Sequence, residues 1–488
     1  MGILRKAFFQ GSWLAGFKLF GQVISWATTI LVARILVPED YGLMTIATVF
    51  TGYGMLFSEL GLGVAIIQRP RYTEEELSSV FWFGFAFSLL IGISCFALAY
   101  PTAMVFNDER VIPIVYTVSV LFVTGGLQIV PLNLLKKNLS FKRIGLIEIS
   151  GTIVSCLSMI TMAHMGAGVW TLIGGHIIRN ITKLIFTYWT AKWYPKFYFH
   201  FGELKPYFRF GLIVAFNRSV FYMSGKSDQF FAGMAWPTMI LGYYAFALQL
   251  ARIPIDKLLG LISQVSFPLF SKLQEDNQQI RYVYLKILKL NATIIFPIYV
   301  GGFLLGDDLV NVVLGEKWSE ISLVFRYLCL SQIMVALSSV NGRIHLAKGR
   351  PHWNLYYNII LASSMATSFY FAVGYGLNWI VLPWLVTNTI LSASWIIITI
   401  KKINILLYIY LKNIFPQFVA TCLMAGFILL FDNISLTFMS ANTFPVLKLA
   451  FSLSVGGFYY LSLLFLLDRS LLTDIRSLKK GREVPVTT

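Results

Sequence analysis

Long, uninterrupted apolar stretches dominate this chain of 488 residues. Each stretch is about 20 residues long, which is enough for a helix to cross a hydrocarbon core about 30 Å thick. The apolar residues run continuously and do not alternate with polar ones, as they would in the strands of a membrane barrel. The pattern therefore predicts an all-α polytopic membrane protein with about fourteen transmembrane helices, at 10–34, 42–67, 77–104, 111–132, 144–165, 168–190, 207–234, 239–262, 287–305, 321–342, 354–374, 377–400, 406–431 and 444–467.

Two parts of this pattern resemble each other at a distance of about two hundred residues. The segment Gly11–Lys18 resembles Gly211–Arg218, and Ala33–Gly42 resembles Ala232–Gly242. Each copy carries one cation, a lysine or an arginine, at the same depth of a predicted helix. An internal repeat of membrane segments is typical of transporters that bind their substrate between two lobes.

A second repeat signal extends the match to later helices. The glycine-containing turn Met165–Trp170 resembles Val373–Trp379, and each turn joins two adjacent predicted spans. The chain is therefore predicted to form an N-terminal lobe of six helices (1–200) and a C-terminal lobe of six (201–405) in the same orientation. Helices 13 and 14 and a basic tail follow (406–488).

The charged residues predict the orientation. Charged residues make up only 12% of the chain, against 57% hydrophobic residues, yet the net charge is +17. The basic residues cluster in alternate loops, such as Lys136–Arg143, Arg343–Arg350 and Lys401–Lys402, whereas Asp108–Arg110 and Asp307–Asp308 lie in intervening loops. By the positive-inside rule both termini are cytoplasmic, which requires an even number of spans. The excess charge is then a topology signal and a contact with anionic membrane lipids, and it does not indicate nucleic-acid binding.

Ionisable residues within the predicted spans are the candidate functional groups. An isolated charge at mid-bilayer costs about 2.5–3.5 kcal/mol, so such residues are expected to face a wet cavity or a partner. The cationic candidates for substrate binding are Lys18, Arg218, Lys226, Arg252, Lys257 and Arg326. The acidic candidates for ion coupling are Glu59, Asp228 and Asp256.

Structural roles compete with these functional ones. Lys18 and Arg218 are placed so that their side chains could extend to the headgroups. Arg252 and Lys257 are near enough to Asp256 in sequence for a structural ion pair. The four cysteines are scattered and predict neither a zinc site nor a disulfide framework. No ATP-binding motif is present, and no metal or other cofactor is predicted.

Several short motifs resemble those of a known family. They are Leu31-Val-Ala-Arg34, Ser58-Glu-Leu-Gly-Leu-Gly63, Ile66-Ile-Gln-Arg69, Leu135-Lys-Lys-Asn-Leu-Ser-Phe-Lys142, Ser266-Phe-Pro-Leu-Phe-Ser-Lys272, Leu314-Gly-Glu-Lys-Trp318 and Leu346-Ala-Lys-Gly349. With these motifs the chain resembles the polysaccharide exporters and O-antigen flippases of the multidrug/oligosaccharidyl-lipid/polysaccharide (MOP) superfamily, in the branch of the colanic- and teichuronic-acid exporters. The chain has Glu59 where that family usually has aspartate.

The resemblance implies a flippase of the bacterial inner membrane. Its substrate would be a polyprenyl-pyrophosphate-linked oligosaccharide, a precursor of lipopolysaccharide, O-antigen or exopolysaccharide, moved by alternating access through a cationic central cavity. Other polysaccharide-assembly proteins are possible partners. Two alternatives stay open: a small-molecule or cation antiporter similar to the MATE transporters of the same superfamily, and a polysaccharide polymerase or ligase.

Overall fold

Helices make up most of the computed structural model, which describes residues 3–58, 62–68, 72–204, 219–220, 222–223, 225–256, 266, 269–271, 273–438 and 445–468. No β-strand occurs within these ranges. Nine helices in them are long and apolar enough to cross a membrane. The predicted all-α, multi-pass membrane fold is thus confirmed, whereas the total of fourteen spans stays a prediction.

The chain divides into two compact units, Met1–Ala245 and Phe246–Thr488. The first unit contains α1 (Ile3–Ile35), α2 (Pro38–Ser58), α3 (Leu62–Gln68), α4 (Glu74–Ala97), α5 (Ala99–Phe106), α6 (Val111–Lys137), α7 (Phe141–His164), α8 (Val169–Ala191), α9 (225–235) and the first residues of α10 (Thr238–Pro254). The second contains α11 (Asn277–Leu304), α12 (Gly306–Leu309), α13 (Ser322–Ser338), α14 (Asn341–Ala347), α15 (Pro351–Ala372), α16 (Asn388–Lys402), α17 (Leu407–Phe438) and α18 (Pro445–Leu467). The division falls within α10, and the lobe boundaries inferred from the repeat stay predictions.

One predicted span is divided into two helices within the described residues. The segment predicted at 77–104 corresponds to α4 and α5, which are separated at Leu98. Pro101 explains this break, because a proline ring clashes with the carbonyl group four residues earlier, here that of Ala97. Hydropathy does not register such a break, since both helices are apolar.

The ends of several elements follow from local sequence. Thr73 caps α4 in a capping box: the Glu76 amide donates to the Thr73 hydroxyl (3.1 Å), and the Thr73 amide donates to the Glu76 carboxylate (3.3 Å). The glycine turns matched in the repeat have positive φ angles, of 73° at Gly166, 54° at Gly168 and 96° at Gly376. Glycine adopts these angles without strain, which explains why both turns contain it.

Small residues allow the helices of each unit to pack closely. In the first unit α7 packs on α1 and on α8. A Cβ atom at Gly145 would lie 2.7 Å from the ring of Phe17, so a larger residue here would displace that ring from the contact. In the second unit, α17 and α18 pack on each other and on α11.

Candidate functional site

The two repeated Pro–Gly segments lie against each other in the first unit. A Cβ atom at Gly42 would lie 1.9 Å from the carbonyl oxygen of Thr238, and one at Gly242 would lie 1.8 Å from that of Pro38. Neither position accommodates a side chain. The segments that resemble each other in sequence thus form a reciprocal backbone contact at the start of α2 and α10.

A polar network surrounds this contact. The guanidinium of Arg110 donates to Asp108 (Nη2–Oδ2, 2.8 Å) and to Glu39 (Nη2–Oε1, 2.8 Å), and the Thr238 hydroxyl donates to Asp108 (2.8 Å). Burial raises the pKa of Asp108, but the hydrogen bonds from Arg110 and Thr238 outweigh burial and hold the pKa below its usual value. The bonds to Asp108 and Glu39 raise the pKa of Arg110. The network ties the loop between α5 and α6 to α2 and α10.

Lys18 lies on an exposed face of α1. The preceding residue, Phe17, packs on Gly145 of α7, and Gly21 faces Ile149 of the same helix. Lys18 is therefore not buried in the contact between α1 and α7. Both sequence interpretations, a side chain facing a cavity and one extending to the headgroups, agree with this placement.

Two cations that sequence reasoning missed pair with Glu148 of α7. Lys183 Nζ lies 2.7 Å from Glu148 Oε1, and Arg179 Nη2 lies 3.7 Å from Glu148 Oε2. One carboxylate between two cations leaves a net positive charge in this part of α7 and α8. A sequence signal existed, because Arg179 and Lys183 are four residues apart within one predicted span and therefore share a helix face.

Asp228 on α9 is fully buried. Its Oδ2 accepts a hydrogen bond from the Tyr244 hydroxyl (2.7 Å), and its Oδ1 has no hydrogen-bond partner among the residues that the structure describes. Lys226 instead donates to Gln229 (Nζ–Oε1, 2.6 Å), consistent with the two-residue spacing that places Lys226 and Asp228 on different faces. A buried charge is costly unless it is paired and hydrogen-bonded, which keeps Asp228 a candidate for ion coupling.

The candidates of the second unit differ from one another in their contacts. Arg252 lies over the indole ring of Trp384, 5.1 Å from its centre. Asp256 is exposed, and its predicted ion pair with Arg252 stays a prediction. Arg326 pairs with Asp307 (Nη1–Oδ2, 2.8 Å) and donates to the Phe303 carbonyl (Nε–O, 2.8 Å). These bonds support a structural role for Arg326, whereas the proposed contact with substrate stays a prediction.

A buried ion pair absent from the sequence prediction joins three helices of the second unit. Lys289 of α11 lies 2.5 Å from Asp468 (Nζ–Oδ2) at the end of α18, and Gln417 of α17 donates to the same oxygen (3.1 Å). At the other end of α18, Lys448 pairs with Asp308 (3.6 Å). These contacts fix both ends of α18 within the second unit.

Three candidates, Glu59, Arg218 and Lys257, lie outside the described residues. Within the described ranges, no group of three or more His, Cys, Asp or Glu side chains is arranged to hold a metal ion. The four cysteines are free, and all but Cys422 are buried.

Solved structures share this fold. The chain superposes on the lipid II flippase MurJ with a TM-score of 0.74, over 94% of this chain and 99% of that one, at 14% sequence identity. A multidrug resistance MATE transporter of the MOP superfamily, in an inward-facing conformation, superposes with a TM-score of 0.65 over 78% of this chain and 94% of that one, also at 14% identity. At these identities the similarity establishes the fold alone.

Sequence comparisons identify the family. The teichuronic acid biosynthesis protein TuaB of Bacillus subtilis is 27% identical over 88% of this chain and 89% of its own length. The lipopolysaccharide biosynthesis protein WzxC of Escherichia coli is 27% identical over 74% of this chain and 75% of its own length. The model of the polysaccharide biosynthesis protein family matches residues 31–323, which is more than half of the chain. The resemblance inferred from the motifs is confirmed, and the chain belongs to the polysaccharide biosynthesis protein family.

Proposed function

We propose that this chain is a transporter of the bacterial inner membrane that flips lipid-linked oligosaccharide from the cytoplasmic to the outer leaflet. The observation that carries the proposal is the similarity to TuaB and WzxC, proteins of teichuronic acid and lipopolysaccharide biosynthesis, over most of each length. The fold shared with the lipid II flippase MurJ supports a transporter and not an enzyme. Both termini lie in the cytoplasm, and other polysaccharide-assembly proteins and anionic lipids are the expected partners.

The substrate sets the physical requirements of the path. Sugar hydroxyls lose hydrogen bonds to water if they enter hydrocarbon, so the headgroup needs a polar route, while the lipid tail stays in the bilayer. The pyrophosphate carries negative charge and therefore favours a cationic route. In this proposal, alternating access exposes Lys18, Lys226 and Arg252 to the substrate, together with Arg218 and Lys257. Arg326 contributes less, because Asp307 already neutralises it.

Two sources of free energy suit this transport. With the cytoplasm negative, outward movement of one negative charge is favoured by about 2.3 kcal/mol per 100 mV. Ion coupling is the second source, and Asp228 is its strongest candidate, because its buried Oδ1 has no hydrogen-bond partner within the described part of the chain. Protonation would remove the charge that makes burial of this carboxylate costly. Asp256 and Glu59 are the other coupling candidates.

The alternative is a small-molecule or cation antiporter, which the shared fold with the MATE transporter favours. A cationic substrate would require a predominantly acidic site. The candidates within the spans are instead mostly cations, and Glu148 is outnumbered by Arg179 and Lys183. A polymerase or ligase is disfavoured further, because no long external loop is predicted that would hold catalytic residues.

A flipping assay in proteoliposomes tests the proposal. The substrate is a polyprenyl-pyrophosphate oligosaccharide matched to the host glycan, and the readout is cleavage of its sugar by an external glycan hydrolase. Wild-type protein should increase cleavage, Arg218→Ala should slow it by roughly tenfold or more, and Arg218→Lys should retain much of it, because the charge is kept. Equal cleavage with and without the protein would contradict the flippase proposal. Equal cleavage rates for wild type and both variants would show that Arg218 does not contact the substrate.

A further inference from the structure

Four cations lie at one end of the second unit: Arg281, Lys348, Arg350 and Lys402, here called the cation cluster. Lys348 and Arg350 flank Gly349, which has a φ of 68° in the turn between α14 and α15. Backbone bonds close this turn, from Lys348 N to Ile344 O (3.0 Å) and from Arg350 N to His345 O (2.8 Å). The turn therefore holds both side chains at a fixed place at the end of α14.

Contacts with two other helices bring the remaining cations to the same place. Lys348 Nζ donates to the side-chain oxygen of Asn277 at the start of α11. One turn further along α11, Arg281 Nε donates to the carbonyl oxygen of Ile403 (2.6 Å), the residue that follows Lys402. The first turns of α11 thus join the turn at Gly349 to the end of α16.

The cation cluster lacks acidic partners. Among the residues that the structure describes, no carboxylate oxygen lies within ion-pair distance of any of the four cations, whereas Lys289, Arg326 and Lys448 in the same unit all have one. Burial together with the positive charges of Arg350 and Arg281 lowers the pKa of Lys348. Arg350 and Arg281 therefore repel Lys348, and an anion placed beside these cations would be bound favourably.

Apolar side chains next to the cation cluster indicate what kind of anion binds there. Leu346 precedes Lys348 by two residues and is exposed, and Leu406 and Tyr408 follow Lys402 and are also exposed. A soluble anion would gain nothing from these side chains, whereas an amphiphile would contact them with its acyl chains. The positive-inside rule places this end of the unit at the cytoplasmic surface.

We propose that the cation cluster binds the phosphate group of an anionic phospholipid in the cytoplasmic leaflet. Lys348 and Arg350 hold the phosphate, Arg281 and Lys402 flank it, and the acyl chains lie along Leu346 and Leu406. The inference depends on the proposed function only for the cytoplasmic orientation. It assigns this site to a lipid that stays in the membrane, not to the transported substrate.

Native mass spectrometry of the purified full chain tests this site without measuring transport. The protein is offered phosphatidylglycerol or phosphatidylcholine, and the retained lipid is counted. Wild type should retain phosphatidylglycerol preferentially, and Lys348→Gln/Arg350→Gln should lower its affinity by roughly tenfold or more. Lys348→Arg/Arg350→Lys should keep the binding, which controls for folding. The matched control is Lys192→Gln/Lys196→Gln, which removes two cations of a different loop, one of them already paired with Glu75 (3.3 Å).

Three results would overturn the proposal. The first is equal retention by wild type and Lys348→Gln/Arg350→Gln. The second is an equal loss in the matched control, which would show that only total surface charge matters. The third is that a polyprenyl-pyrophosphate oligosaccharide displaces phosphatidylglycerol from wild type but not from Lys348→Gln/Arg350→Gln. That result would assign the cation cluster to the transported substrate. Failure of the flipping assay would leave the lipid result unaffected, so the two proposals fail separately.

Discussion

The second unit holds two groups of cations that differ in their partners. Lys289, Arg326 and Lys448 lie in helices that are candidate membrane spans, and each pairs with an aspartate. The cation cluster, whose Arg281 shares α11 with Lys289, has no carboxylate of a described residue within ion-pair distance. The difference shows that presence in a candidate span does not decide whether the protein neutralises a cation. A charge that protein does not neutralise needs water or a lipid phosphate, because an unpaired charge within hydrocarbon is costly.

The largest loss of stability is expected from breaking the buried ion pair between Lys289 and Asp468. Asp468→Ala leaves Lys289 buried without a counter-charge, which should lower the free energy of unfolding by about 3–5 kcal/mol. Thermal unfolding in detergent measures the change. Lys289→Met/Asp468→Leu replaces both charges by apolar side chains and should lower the free energy of unfolding much less. Equal losses in the single and double variants would show that the pairing of charges is not the cause.

An intermediate loss of stability is expected at the partly exposed polar network around Asp108 in the first unit. Asp108→Asn removes a charged acceptor of bonds from Arg110 and Thr238 and should cost about 1–2 kcal/mol near neutral pH. Because the pKa of Asp108 is lowered in the folded state, this stabilisation is present above its unfolded pKa of about 3.9 and is lost as the pH falls through the folded value.

Melting temperatures of wild type and Asp108→Asn, recorded against pH, check this dependence. The two curves should be separate at pH 7 and converge below about pH 4. Glu109→Gln removes an exposed carboxylate of the same loop and is the control. A difference between wild type and Asp108→Asn that is constant with pH would contradict an electrostatic origin.

The smallest change in stability is expected at the cation cluster, where a substitution should stabilise the protein and not destabilise it. The lowered pKa of Lys348 means that folding disfavours its charge at neutral pH, a penalty that disappears as the pH rises above the unfolded pKa of about 10.4. Lys348→Gln in lipid-free detergent should therefore leave the stability unchanged or raise it by about 0.5 kcal/mol. Unfolding at low and high salt checks this, since screening should remove any gain. A loss of stability that is large at low salt and disappears at high salt would contradict the absence of an acidic partner, whereas a salt-independent loss would reflect only the hydrogen bond to Asn277.

Local features of the fold could be predicted from the sequence. The apolar stretches predicted helices, and the matching glycines predicted tight turns. Each depends on residues within one or two turns of helix. The break at Leu98 could not be predicted from hydropathy, because the pattern is equally apolar on both sides of it.

The candidate site was predictable only in part. Composition and spacing indicated which charges lie within spans, yet the partners of those charges are distant in sequence. Glu148 pairs with residues of the next helix, and Lys289 pairs with Asp468 at the far end of the unit. No local pattern links such pairs, because packing between helices decides which charged faces meet.

By itself the sequence determined the all-α membrane class and the family and predicted an internal repeat, since each depends on residue types and their order along the chain. Tertiary structure alone decided that Gly42 and Gly242 pack reciprocally, that Asp228 is buried with one carboxylate oxygen unbonded to any described residue, and that Arg281 lies near Lys348 and bonds to Ile403. The reason is physical. Electrostatic and packing energies depend on distances in space, which the order of residues does not specify.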